Sequence, residues 1–237
     1  MAYSPSSHVH WRRTEDGIVL LDLNRGRYLG LSELDVQAIA PFVPEWRAEY
    51  EHGPSANESV AANAACIIDS LVRSGILIET DSPISARAAH IPVATEALGF
   101  DEAFHAPSYT VKHIAVLALA YMRTQARLRT QPLHAVVRKI RDRKERRTRS
   151  DNADPLAMRN LSQIYLYLRP LIFAAKDRCL LDSLVLVEFL SSHDIYPEWV
   201  IGVKTQPFGA HSWVQHDALV LNDTPEKISR FRPILWV

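Results

Sequence analysis

Three residues suited to nucleophilic chemistry occur in the order Cys179, His211, Asp223. A thiol in the first turn of a helix is biased toward thiolate, because the N–H groups there lack backbone partners and the helix dipole is positive at that end. Taking Asp177 as the N-cap of DRCLLDSLVLVEFLSSHD puts Cys179 in that first turn, with Lys176 and Arg178 adding positive charge. A general base and its orienter come from AHSWVQHDALVLND, residues 210–223. If a three-residue loop spans His216, Asp217 and Ala218, Gln215 faces Leu219, Trp213 faces Leu221 and His211 faces Asp223. Partners across an antiparallel ladder share a face, with Cβ atoms roughly 5 Å apart. A carboxylate there fixes the imidazole tautomer that a base requires. A two-residue loop would make the pair diagonal, still within side-chain reach, and the loop lacks the glycine that three-residue hairpins favour. His216 is a rival base, but its odd spacing from His211 puts it on the opposite face or in the loop. The plainer alternative is a small core cysteine and a satisfied strand histidine.

The rest of the chain must position these groups. Near the N-terminus, residues 9–13, 17–23 and 27–31 have strand character, separated by Asp16–Gly17 and by Asn24-Arg25-Gly26. Ser32 then caps a helix whose apolar residues are Leu34, Ala38, Ile39 and Phe42, ended or kinked by Pro41. A second helix runs from an Asn57 cap to a Gly75 stop, with Val60, Ala64, Ile67, Ile68 and Leu71 on its apolar face and Cys66 as a buried structural thiol. ILIE, residues 76–79, follows as a short wing strand. These elements predict a small winged-helix domain over 1–81, a linker over 82–107, and a larger domain over 108–237. In the larger domain, helices at 111–130, 132–150, 154–173 (Asp154 as cap) and 177–194 precede strands at 198–206, 210–216 and 218–223. The fold class is α+β, helices first and an antiparallel sheet last.

Composition narrows the function. The chain has 237 residues, 47% hydrophobic and 23% charged, with a formal net charge of zero, so bulk charge points to neither nucleic acid nor a membrane surface. Two distant cysteines without CxxC-like spacing fit free thiols in a reducing cytoplasm. The N-terminus lacks a signal-peptide pattern and IAVLALAYM is too short to span a bilayer. His8 and His10 have no neighbouring carboxylate or thiol to complete a metal site, and no phosphate loop is present, so no intrinsic cofactor is expected. The basic run from Arg138 to Arg149 reads as a solvated helix face.

Against this background the stretch from Asp177 to Asp223 resembles the C-terminal domain of the lasso-peptide leader peptidases, the B proteins of lasso-peptide biosynthesis. The matching features are RCL at the helix start, S-L before an apolar run, the IGV strand, PF-x-AH-x-WV, and LND. The resemblance implies a transglutaminase-like, papain-related fold in which Cys179, His211 and Asp223 form the catalytic triad. Ala218 departs from the pattern, where a turn glycine is expected. GIVLLDLNRGRYLGLSELDVQAIA resembles the PqqD-like recognition domain, which binds leader peptides as an added strand. Tyr28, Leu29, Leu31 and Leu71 are the residues expected to line that groove, unless they simply fill the core.

The expected function is therefore a cysteine peptidase that binds a ribosomal lasso-peptide precursor and removes its leader. The freed core amine would serve ring closure by an asparagine-synthetase-like cyclase, and any ATP dependence would come through that partner. A transglutaminase- or N-acetyltransferase-like acyl transferase would use the same triad. A non-enzymatic winged-helix regulator is the third reading; the neutral charge argues against DNA binding.

Overall fold

The computed structural model describes residues 2–47, 58–81, 91–98, 107–147 and 154–237. The chain divides into two compact units, Met1–His90 and Ile91–Val237.

In the first unit, a meander of β2 (Val9–Thr14), β3 (Gly17–Asp22) and β4 (Arg27–Ser32) forms around two tight turns. Gly17 has φ +132, and a Cβ there would lie 2.1 Å from the Leu31 carbonyl oxygen, so only glycine fits. The second turn is held by Asp22, whose carboxylate accepts the N–H groups of Asn24 and Arg25 at 2.9 and 3.1 Å. Burial opposes the charge of Asp22, but those bonds and the Arg25 guanidinium hold its carboxyl below the usual range. α1 (Glu33–Ile39) starts on a reciprocal Ser32–Asp35 capping box and runs into a 3-10 turn at Ala40–Phe42, where Pro41 stops it. α2 (Pro44–Arg47) and α3 (Glu58–Arg73) follow. α3 ends in a Schellman motif, with Gly75 at φ +72, Ile76 N–H on Leu71 O and Gly75 N–H on Val72 O. The core gathers Ile18, Leu20, Val36, Ile39, Trp46 and Leu71.

Several expectations change here. β1 (Ala2–Pro5) pairs antiparallel with β5 (Leu77–Thr80), a partner that the local pattern of AYSP did not announce. Leu34 and Phe42 are exposed, because α1 turns Val36, Ala38 and Ile39 inward instead. Cys66 is exposed, not buried: Ala64, Ile68 and Leu71 define the inner face of α3 and residue 66 lies off it. The Asn57 cap and the Val60 side chain lie outside the described residues.

In the second unit, α4 (Val111–Thr130), α5 (Leu133–Arg147), α6 (Pro155–Leu168) and α7 (Cys179–Ser191) precede most of a five-stranded sheet. Its strands are β6 (Glu96–Ala97), β7 (Glu198–Thr205), β8 (Phe208–His216), β9 (Leu219–Val220) and β10 (Arg232–Trp236), in the order β10-β7-β8-β9-β6; a short helix, α8 (Pro225–Ile228), joins β9 to β10. All neighbours are antiparallel except β6 and β9, which are parallel. Residues 91–98, expected in the linker, belong to this unit: Ile91 is buried beside Val200, Trp213 and Val220, and β6 extends the sheet. β10 was not anticipated; Pro233 interrupts its strand pattern, and the ladder carries a register shift between Pro233 and Leu235.

α7 is the central element, packed against α4, α6 and β8, and every residue from Leu181 to Leu190 is buried. Two of those residues are acids, and each is paired. Asp182 meets Arg169 at 3.1 Å, and Glu188 meets Arg127 at 2.7 Å and Arg143 at 3.0 Å. Arg143 therefore ties α5 to α7, so the basic run is not solely a solvated face; Arg138, Lys139 and Arg141 remain exposed.

Candidate active site

α7 begins at Cys179, with Arg178 as N-cap. The expected cap, Asp177, instead takes a left-handed conformation (φ +59) in the preceding turn, which a short polar side chain tolerates. Since Arg178 offers no side-chain acceptor, the opening N–H groups of α7 are free of a side-chain cap, and the thiol stands at the positive end of a helix of 13 residues. The thiol is half-buried.

β8 delivers the imidazole. The β8–β9 hairpin has a two-residue loop, Asp217 and Ala218, with His216 opposite Leu219 and Gln215 opposite Val220. The three-residue register is thus replaced by the diagonal one. Asp217 supplies the positive φ (+49) that a glycine would have supplied, and Gln215 Nε2 donates to the Asp217 carbonyl at 3.0 Å. His211 and Asp223 still meet, because the chain bends after Val220 and turns the carboxylate back toward β8. Asp223 Oδ2 lies 2.5 Å from His211 Nε2, with both side chains about nine-tenths buried. His211 also hydrogen-bonds to Cys179. With Nε2 engaged by Asp223, Nδ1 is the ring nitrogen left for the sulfur. His216 lies elsewhere, 3.8 Å from both Glu198 and Asp217.

The electrostatics follow from this chain of bonds. The hydrogen bond from His211 holds the Cys179 thiol below its ordinary range; burial opposes this, and the N–H groups of Ser212 and Leu180 reinforce it. For His211, burial disfavours the charged ring, yet the bonds to Asp223 and Cys179 outweigh it and raise the imidazole from 6.5 to about 9. For Asp223, burial opposes ionisation but bonds from His211, Lys227 and the Thr224 N–H keep the carboxyl low. The arrangement favours a thiolate–imidazolium pair beside an ionised carboxylate, which equips it for nucleophilic attack and proton return.

Aromatic rings fix the imidazole in place. Phe231 packs on His211 with centroids 5.1 Å apart, and Trp213 stacks at 6.2 Å. The strand itself is pinned by the Trp199 indole donating to Ser212 Oγ at 2.8 Å. Three further polar residues of the site were not singled out by sequence. Lys227 donates to the same Asp223 oxygen at 2.9 Å, at i,i+4 spacing. Asn222 Nδ2 donates to Asp182 Oδ2 at 2.8 Å; Asn222 sits inside the LND motif, which was the available signal, and Asp182 lies two residues beyond RCL.

The residues expected to hold a peptide fall in the first unit. β4 is an outer strand of its sheet, paired only with β3 among the described residues. Leu29 and Leu31 pack partly against the core, and Tyr28 is half-buried opposite Leu21. Leu71 is 5% exposed and serves the core, so it is withdrawn as a groove residue; the heptad-like spacing of α3 turns it inward. Among the described residues, no group of His, Cys, Asp and Glu could hold a metal ion, and no helix is long and apolar enough to cross a membrane.

Comparison with known proteins agrees with the fold of the second unit. Residues 118–236 match the transglutaminase-like superfamily. The chain is also 40% identical over 86 residues to the microcin J25-processing protein McjB of Escherichia coli. That match covers 36% of this chain and 40% of McjB, less than half the length of either. No solved structure shows significant similarity. The resemblance to the lasso-peptide B proteins thus has a counterpart in a curated relative, and the chain belongs to the transglutaminase-like superfamily.

Proposed function

We propose that this transglutaminase-like chain is a leader peptidase of the lasso-peptide type, acting through Cys179, His211 and Asp223. The observation that carries the reading is the bonded chain thiol–imidazole–carboxylate at the start of a buried helix, in a protein similar to one that processes a microcin. The Cys179 thiolate attacks the carbonyl of the leader's last residue. The uncapped N–H groups at the start of α7 donate to the developing oxyanion. His211, as imidazolium, protonates the leaving amine, which becomes the N-terminus of the core peptide. His211 then takes a proton from water, which attacks the thioester and releases the leader. Asp223 holds the ring and its charge throughout.

The first unit is assigned to leader recognition, as a PqqD-like winged-helix domain. The leader adds as a strand along β4, whose outer edge faces no strand among the described residues, beside Tyr28, Leu29 and Leu31. The freed amine suits ring closure by an asparagine-synthetase-like cyclase, and any ATP requirement enters through that partner. The setting is the cytoplasm, where the thiol stays reduced. An acyl transferase would use the same three residues, but a separate unit with an open strand edge has no role in small-molecule acyl transfer.

Cys179→Ala distinguishes these readings. With precursor peptide, the variant is expected to keep leader affinity and to lose cleavage, as followed by mass spectrometry of the released core. Retained cleavage would remove Cys179 from the mechanism. Turnover of a small acyl donor in place of the precursor would favour the acyl transferase.

A further inference from the structure

The thiol belongs to a helix and the imidazole to a strand 32 residues later, so something must fix their separation. Packing of α7 on β8 brings them close. The Asn222 side chain adds a further polar tie between the two elements, bonding β8 at Val214 and α7 at Asp182. β9 ends at Val220, and Leu221 N–H to Val214 O (2.9 Å) is the last bond of its kind along β8. The return bond from Val214 N–H goes not to a strand carbonyl but to Asn222 Oδ1, at 2.8 Å. The same amide donates through Nδ2 to Asp182 Oδ2 at 2.8 Å and reaches Ser183 Oγ at 3.4 Å.

Its anchor on α7 is firm. Asp182 is 5% exposed, one turn beyond Cys179. Its Oδ1 accepts from Tyr165 Oη at 2.8 Å and from Arg169 at 3.1 Å. Ser183 Oγ donates to the Cys179 carbonyl at 2.7 Å. Burial of Tyr165, and then the carboxylate beside it, push its phenol well up, so the hydroxyl stays a donor. Asn222, next to Asp223 in the chain, therefore grips β8 at Val214, three residues from His211, and α7 at Asp182, one helical turn from Cys179.

We propose that Asn222 is a positioning residue, whose amide sets the thiol–imidazole distance by tying β8 to the first turn of α7 through Asp182. This rests on the peptidase reading only for the identity of the substrate. The role demands an amide: one planar group must accept from a backbone N–H and donate to a carboxylate. Aspartate at 222 could accept but not donate, and would set two carboxylates against each other. A hydrocarbon would leave the Val214 N–H without its acceptor and Asp182 Oδ2 with Arg169 as its remaining donor, at 3.2 Å.

The test uses the full chain and reads the thiolate directly, by its ultraviolet absorbance and by the pH dependence of iodoacetamide alkylation, alongside kcat and KM for precursor cleavage. Asn222→Asp is expected to lower kcat by about 10- to 100-fold with KM little changed, the loss that a misplacement near 1 Å brings, and to diminish the thiolate signal near neutral pH. The double exchange Asp182→Asn with Asn222→Asp restores a donor on α7 facing an acceptor on the hairpin, and is expected to recover both readouts in large part. Should the single aspartate variant fail to fold, Asn222→Ser, which loses the reach to Asp182 without adding charge, is expected to show the same loss. A folded Asn222→Asp or Asn222→Ser with wild-type kcat and thiolate profile would overturn the proposal, as would a folded double exchange that recovers neither. If the thiolate responds as expected but no precursor is cleaved by the unaltered protein, the positioning role stands and the peptidase reading falls.

Discussion

The most discriminating perturbation of the triad is Asp223→Asn, because it keeps the shape of the side chain and removes its charge. In the folded protein the His211 ring is raised from 6.5 to about 9 although burial works against it. That rise corresponds to roughly 3 kcal/mol favouring the imidazolium, or about two orders of magnitude in its population relative to the neutral ring. Asp223 provides both a hydrogen bond and a negative charge to this effect, and Lys227 subtracts from it. Without the carboxylate, burial dominates and only the thiolate remains to hold the charge. The assay is the pH dependence of Cys179 alkylation, with the alkaline limb reporting loss of the imidazolium. The unaltered protein should show this limb near 9, and the variant should show it displaced downward, with a smaller thiolate population near neutral pH. Cleavage should fall further, by as much as about 10⁴-fold, since the amide also permits the wrong tautomer. Stability gives a second reading with a fixed sign. A raised histidine stabilises the fold fully below 6.5 and loses that contribution as pH climbs to about 9, so the melting-temperature gap between the two proteins should narrow across that window. An unmoved alkaline limb in a folded Asp223→Asn protein would refute the assignment of Asp223 as the partner of the ring.

Two further outcomes are expected. Lys227→Met removes the ammonium that shares Asp223 Oδ2 with the ring, so its alkaline limb should move upward, opposite to Asp223→Asn; since Lys227 is largely exposed, the displacement should shrink in high salt, as pH titrations at two ionic strengths will tell. Gly202→Ala places a Cβ 2.8 Å from the Trp213 ring and 2.9 Å from Phe231 Cβ, which should cost about 1–3 kcal/mol in chemical denaturation and, through Phe231, disturb the His211 ring.

The helices were the most legible part of the sequence. Thr110 and Gln131 bracket α4 at the expected bounds, Asp154 accepts the Leu156 N–H as its composition implied, and Gly75 stops α3 by its positive φ. These are local signals, written within a few residues of the feature they set. The strands β1, β6 and β10 were illegible for the opposite reason. Each is short, and β1 and β6 pair with segments more than 70 residues away, so no local alternation announces them. For the site, residue types and order were readable, but the register was not. A glycine-free loop was read as three residues, while Asp217 adopted the conformation that allows two. The pairing of His211 with Asp223 survived this error because the meeting depends on a bend after Val220, which strand counting does not represent. Leu34 shows the limit of helical spacing: periodicity names a face, but the neighbour decides which residues of it turn inward, and Leu71, on the face that spacing named, is buried in the core.

Leu221, Asn222 and Asp223 send three consecutive side chains to three destinations: the apolar core, the first turn of α7, and the His211 ring. A regular strand, alternating between two faces, could not distribute them so. A substitution in this triplet removes one contact and leaves two. Inserting or deleting one residue displaces all three together. A change in the length of this stretch should therefore cost more than a single substitution within it, and a scan of single-residue insertions should find it among the least tolerant points of the second unit.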